Sequence, residues 1–419
     1  MRPAQAAVAR VRQLSRQTIR FAAGGALLQL FGLVSGPLLA HALGADGRGE
    51  LAGSLAPFVT VAFISSYGLT QRAGHLVARG QWSGRRAAHS VTAVAPFAAL
   101  GAVFALAGQS PVLQGLAVLA VLGHNISACV QGAFMGSGLA SRFNVALLAP
   151  YGANLLVLIV AFLSGRLTPT FALASQLVAF VVAGCLAIVL YWVSRSTIRS
   201  VKPVSSSVSL PSLLAQAVAG LSAVAFAGFD QAVISFLADD RSLGLFAVAF
   251  SYAALLETVV VAISLSAFSA ISNDHASRQR MVTAQKQTAL LSVLGAMFLA
   301  GAAPLVIPIM FGDDFRSSVV LAWILLFGRI FHDLYGVVAV AVTGARTART
   351  SLIIGLASLL MVGGGLVAGW HLGGILGCAI GIVVAEVGRW LLALLLVRIK
   401  INGPLRSVER VEAVEAQGV

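Results

Sequence analysis

The chain reads as an all-α integral membrane protein of about twelve transmembrane helices, arranged as two six-helix bundles related by a pseudo-two-fold axis along the membrane normal. Three observations predict this. Twelve apolar stretches fill residues 21–397. The basic residues fall in alternate gaps between those stretches. The two halves of the chain echo each other. A helix rises about 1.5 Å per residue, so ~20 apolar residues cross the ~30 Å hydrocarbon layer. Alternating strand patterns are missing, and backbone groups in lipid must pair within their own segment, which leaves helices.

The predicted spans are 21–43, 51–78, 90–108, 112–135, 143–164, 170–192, 211–237, 243–272, 287–309, 317–343, 351–370 and 373–397. They divide the chain into a basic arm (1–20), an N-terminal bundle (21–192), a linker (193–210), a C-terminal bundle (211–398) and a tail (399–419). The arm carries Arg2, Arg10, Arg12, Arg16 and Arg20 without an acid, a pattern for a basic amphipathic helix on a membrane surface. Ala40-His41-Ala42 resembles a signal-peptidase site. The arm and apolar run are too long for a signal peptide, so no cleavage is expected. The linker is Ser-rich, with Arg195, Arg199, Lys202 and Pro203, and is the only one of soluble composition.

The sequence is 58% hydrophobic and only 10% charged, against about 25% charged in soluble domains. The net charge of +14 is a topology signal rather than a nucleic-acid footprint. Of the 28 Lys and Arg residues, only Arg48, Arg166, Arg241 and Arg316 fall on the second side, Arg329 and Arg389 fall near the middle of spans, and Arg72 falls in the inner half of span two. The positive-inside rule makes the basic side cytoplasmic, with both termini there, and the bacterial plasma (inner) membrane is the expected location. The second side carries Asp46, Glu50, Asp239, Asp240, Asp313 and Asp314.

Leu43–Ala52 and Leu237–Phe246 are the clearest internal echo: each is an acid-and-Arg turn following a span that ends in Leu. Gly138 to Arg142 and Gly344 to Arg349 form a second echo. Six spans per half is an even number, so both halves insert in the same orientation, as in transporters whose halves rock about a site between them.

The loops are too short for a catalytic domain, and no phosphate-cradling glycine loop follows a strand. An enzyme, such as a polyprenyl-phosphate glycosyltransferase, is therefore not expected. No cofactor is expected either, beyond coupling to an H+ or Na+ gradient. Cys129, Cys185 and Cys378 have no paired or metal-binding spacing and read as small packing residues. Gly363-Gly364-Gly365 and Gly373-Gly374 read as sites of close helix packing or bending. Trp82, Trp192 and Trp370 read as boundary anchors.

The charges inside spans carry most of the functional information, since each costs about 2.5–3.5 kcal/mol at the membrane centre on insertion scales. Asp230 and Glu257 have no local partner and are candidates for ion or proton coupling. Asp333 and Glu386 join them, although Arg329–Asp333 and Glu386–Arg389, four and three residues apart, also read as self-neutralising pairs. Arg20, Arg72, Arg329 and Arg389 are the candidates for receiving an anionic headgroup, because guanidinium forks match phosphate oxygens. Snorkelling to the headgroups is the other reading of Arg20 and Arg72. His41, His75, His124, His332 and His371 show no metal-ligand spacing and read as structural.

Leu43 to Ala52, Tyr67-Gly68-Leu69-Thr70-Gln71 and Val77-Ala78-Arg79 together resemble the start of bacterial polysaccharide flippases, Wzx-type members of the multidrug/oligosaccharidyl-lipid/polysaccharide (MOP) superfamily. Phe229-Asp230-Gln231 resembles that family's acidic residue in span seven, and Gly136-Ser137-Gly138 before Arg142 resembles its short turn after span four. The resemblance implies a MATE/MOP-like fold with a V-shaped cavity between two bundles. It implies movement of a polyprenyl-diphosphate-linked oligosaccharide from the inner to the outer leaflet by alternating access, for surface polysaccharide biosynthesis. It puts Arg20, Arg72, Asp230 and Glu257 along the path. The partners it implies are the lipid-linked substrate, the bilayer, and a polysaccharide polymerase or glycosyltransferases, with the chain as a monomer and no nucleic acid. The alternative is a MATE-like cation-coupled exporter of organic cations. That branch's usual acid in span one has no counterpart here, where Ser35-Gly36-Pro37 stands.

Overall fold

The structure is a computed structural model that describes residues 3–78, 80, 82–198, 228–256, 277–344 and 348–401. Its helices follow one another in chain order with no strand among the described residues. The first helical stretch, Pro3–Ala78, breaks only at Gly44 (φ 64°), giving α1 (3–43) and α2 (45–78). There follow α3 (Gly84–Ala105), α4 (Pro111–Gly136), α5 (Ala140–Leu163), α6 (Pro169–Ser194), α7 (Phe229–Ile234), α8 (Asp240–Ala253), α9 (Ser277–Phe311) and α10 (Ser318–Gly344). The last stretch, Ala348–Ile401, breaks at Gly373 and Gly374 into α11 (348–372) and α12 (375–401). Among the described residues each predicted span overlaps one of these helices, with α7 and α8 covering only residues 229–234 and 240–253. Glu257 and most of the linker lie outside the described residues.

Helix ends are set by local chemistry. Ser83, Ser110, Thr168 and Asp239 cap the starts of α3, α4, α6 and α8, each side chain accepting from a backbone N–H three residues on. Pro111 and Pro169 occupy first turns, where the missing N–H costs nothing. Gly165 (φ 66°) ends α5, with Arg166 N–H reaching back to the Ala161 carbonyl at 2.9 Å.

Several sequence expectations are corrected. The segment 44–50 was expected to be a turn, yet only Gly44 leaves helical geometry, and Asp46, Gly47, Arg48, Gly49 and Glu50 already belong to α2. Gly373-Gly374 makes the reversal between α11 and α12, Gly374 having φ 58°. Trp82 is 3% exposed and packs edge-on against Tyr191, so it is core rather than an exposed anchor. Cys185 is exposed, unlike buried Cys129 and Cys378. The arm is helical from Pro3 and runs straight into the first span.

Packing is inverted relative to a soluble protein. The core is rich in alanine, and large side chains such as Phe97, Phe104, Phe236, Phe298 and Leu360 face outward. Apolar surroundings explain the exposed face, since lipid is as apolar as leucine and association then rests on close backbone approach. Gly132 and Gly136 of α4 lie against Thr70 and Gly74 of α2. Gly365 and Gly369 of α11 lie against Gly381 and Gly377 of α12. Two groups of buried residues come from the helices α1–α6, with Leu39 of α1 in one of them, and a third joins α7–α12 with Ala40, Ala45 and Ala52 of α1 and α2. The result is a two-lobe, multi-pass helical membrane fold, with eight stretches long and apolar enough to cross a bilayer among the described residues.

Candidate functional site

The C-terminal lobe buries a charged network that no soluble-type core would need. Asp230, Arg329, His332, Asp333, Glu386 and Arg389 are all less than 10% exposed, at 3%, 7%, 9%, 6%, 4% and 1%. α7 supplies Asp230, which is anchored by the Gln231 backbone N–H donating to its Oδ1 at 2.9 Å. α10 supplies Arg329, His332 and Asp333, whose spacing of three and four places them on one face. α12 supplies Glu386 and Arg389 in the same way.

Glu386 is the hub. Its Oε1 accepts from the Arg389 guanidinium at 2.6 Å and lies 3.5 Å from His332 Nδ1. The other face of the His332 ring approaches Arg329, with Nε2 3.4 Å from an Arg329 terminal nitrogen. Arg329 lies over the Phe250 ring at 4.7 Å, and Arg389 over Tyr335 at 4.4 Å, so aromatic faces add to the stabilisation of both cations. Asp333 Oδ2 accepts from Ser292 of α9 at 2.7 Å. Glu386 Oε2 is buried with no hydrogen-bond partner.

Asp230, Arg329, His332 and Glu386 share the wall of a cavity of about 20 Å³ with Phe250. That is room for about one water or a small cation. Among the described residues no group of His, Cys, Asp or Glu has metal-binding geometry. The cavity thus presents two buried carboxylates, Asp230 and Glu386, of which Glu386 meets the His332 imidazole.

The structure thus brings together four of the sequence candidates, Asp230, Arg329, Glu386 and Arg389, while Asp333, buried next in sequence to His332, accepts from Ser292. The Glu386–Arg389 pair forms as its spacing predicts. Arg389 is enclosed by Glu386 and Tyr335, which makes it part of the network rather than of an open anion-binding surface. Arg72 stands apart in the N-terminal lobe, partly buried on α2. The Arg20 side chain and Glu257 lie outside the described residues. Sequence reasoning missed His332, Ser292 and Tyr335. The visible signal for His332 was its position between Arg329 and Asp333 on one helix face; for Ser292 there was none.

The chain folds as a polytopic helical membrane protein of two lobes, with an ionic network buried inside one of them. Residues 141–320 match the family described as "Polysaccharide biosynthesis protein". An inward-facing multidrug resistance MATE family transporter of the MOP superfamily superposes with a TM-score of 0.63 at 17% identity, covering 94% of this chain and 96% of that one. The lipid II flippase MurJ, in an inward closed conformation, gives 0.66 at 16% identity, covering 91% and 87%. A eukaryotic MATE transporter gives 0.59 at 14% identity, covering 92% and 94%. No curated protein matches the chain at a significant level. The fold is therefore shared with these transporters and with the lipid II flippase, and the polysaccharide-biosynthesis match covers the central segment of the chain. The matched structures are transporters and a flippase, not enzymes.

Proposed function

We propose that this protein is a flippase that moves a polyprenyl-diphosphate-linked oligosaccharide from the inner to the outer leaflet of the bacterial plasma membrane, with both termini cytoplasmic. The observation that carries this reading is the polysaccharide-biosynthesis match over residues 141–320 on a MATE- and MurJ-like fold. The bundles 21–192 and 211–398 are the units that rock. Arg20 and Arg72 draw the diphosphate toward the path by charge. The buried network around Asp230 and Glu386 exchanges H+ or Na+ and biases the return step, with Asp333 and Glu257 as further acids on the coupling side.

The competing reading is a cation-coupled exporter of organic cations, favoured by the likeness to the MATE transporter. Deleting the gene in its native organism and analysing polyprenyl lipids by mass spectrometry separates the two. Build-up of a polyprenyl-diphosphate oligosaccharide supports the flippase. An unchanged lipid profile with normal surface glycan, together with higher retention of a cationic dye, moves the assignment to drug export.

A further inference from the structure

The N-terminal lobe holds a second, larger and partly open cavity of about 260 Å³, walled by α1, α2, α4, α5 and α6. It is just below the roughly 300–1,000 Å³ of ordinary small-molecule sites, a size for a compact ring rather than a lipid tail. It exists because the wall carries Ala128, Ala146, Ala179 and Ala183 where larger side chains would close it.

No charged side chain lines this cavity. An organic cation there would have no counter-charge, and a diphosphate would have no guanidinium. The polar groups are neutral and are held in place. His124 Nε2 is 3.1 Å from Ser66 Oγ, with its ring edge-on to Phe180 at 5.1 Å. Gln131 donates to Ser127 Oγ at 2.9 Å, which leaves its amide oxygen as an acceptor. Gln176 accepts from Asn154 at 2.8 Å, which leaves its NH2 group as a donor. Tyr151 and Phe180 meet edge-to-face at 6.1 Å on the same wall.

Donors and acceptors in alternation suit hydroxyl groups, which need both. Aromatic rings suit the apolar C–H face of a pyranose. We infer that this cavity is a subsite for one uncharged sugar ring of the transported lipid-linked glycan. The inference rests on the flippase reading and deepens it: the N-terminal lobe selects the sugar, while the ionic network lies in the other lobe.

The test uses the full chain in lipid nanodiscs and farnesyl diphosphate as the probe, bare or carrying glucose, galactose, N-acetylglucosamine or glucuronic acid. At least one neutral sugar is expected to tighten binding about ten-fold over the bare diphosphate, the scale of one or two net hydrogen bonds. Glucuronic acid is expected to add nothing. Gln131→Leu removes the acceptor and Ala183→Leu fills the space. Each should erase the sugar increment while binding of the bare diphosphate, the control for folding, stays within about two-fold. Binding of bare diphosphate with no gain from any neutral sugar overturns the subsite and leaves the flippase standing. A gain that survives both variants also overturns it, since the sugar then sits elsewhere. Failure of every diphosphate to bind, with tetraphenylphosphonium binding lost in Ala183→Leu, overturns both readings.

Discussion

Gly49 of α2 lies against the backbone of Asp240 at the start of α8 with no space for a Cβ between them. Gly244, one turn on, meets the Ala45 carbonyl in the same way. The two segments whose sequences echo each other thus abut, each from a different half of the chain. Asp46 and Arg241 flank the contact at 3.5 Å, both largely exposed. The obstacle at Gly49 is backbone, which cannot rotate away as a side chain can. Gly49→Val should therefore force the helices apart and destabilise this arrangement by about 1–3 kcal/mol, the range for overpacking. Asp46→Asn should change stability by less than about 1 kcal/mol, as exposed ion pairs do. Thermal unfolding in one detergent compares the two. An equal loss in both variants would show that the ion pair, not the glycine contact, joins the halves.

The glycines between α11 and α12 allow a sharper contrast. A Cβ on Gly369 would strike the Gly377 carbonyl, whereas one on Gly364 meets nothing within 4 Å. Gly369→Val should lower the unfolding temperature and the yield of folded protein, and Gly364→Ala should be neutral or slightly stabilising through helix propensity. Similar losses from both would remove the close-packing account.

The span count was legible because lipid imposes a length on every apolar run. The break points were less so. Asp46-Gly47-Arg48-Gly49-Glu50 has the composition of a turn, but its glycines serve close packing and its acids Asp46 and Glu50 face outward, so the helix continues. In the C-terminal lobe the Glu386–Arg389 pair was visible from its spacing. Its assembly with Asp230 and His332 was not, because it depends on how α7, α10 and α12 meet. The sugar-sized cavity was invisible, since alanines leave no signal distinguishing a packed wall from a hollow one.

Asp239 begins α8 by accepting from the Ser242 backbone N–H at 2.7 Å. Hydrogen bonds from Ser242, then the nearby Arg241, hold its carboxyl below the usual aspartate value. A depressed folded value means the carboxylate's stabilising contribution is complete above the unfolded pKa of about 3.9 and is lost as pH falls through the folded value. Asp239→Ala should cost about 1 kcal/mol near neutral pH, as lost caps do. Asp239→Asn, itself a good cap, should keep most of that stability and abolish its acid dependence. Unfolding curves at pH 7 and below pH 4 test this, and an Asn variant as weak as Ala would refute the cap.

Glu386 and Arg389 test whether the network exists for stability or for work. Removing one partner leaves a buried uncompensated charge, so Arg389→Met alone should destabilise by about 3–5 kcal/mol. The double variant Glu386→Gln with Arg389→Met removes both charges and should recover much of that loss. If the network only neutralises itself, the recovered protein will also export polysaccharide. The coupling role predicts the reverse: restored unfolding temperature and absent export.

Asp230 offers the cleanest separation of those roles, because its removal need not strand an intimate ion-pair partner. Its Oδ1 accepts from the Gln231 backbone N–H, as an Asn side-chain oxygen also can. Asp230→Asn keeps shape and removes only the exchangeable charge facing the small cavity shared with Arg329, His332 and Glu386. Coupling through this carboxylate requires that surface polysaccharide disappear while protein level and unfolding temperature stay near wild type. It also requires lipid-linked intermediates to accumulate as in the deletion strain. Normal export by Asp230→Asn would end its coupling role. Loss of export accompanied by loss of folded protein would make it a structural acid. Because the unfolding temperature and the lipid profile are measured on the same strain, each of the three outcomes is distinct.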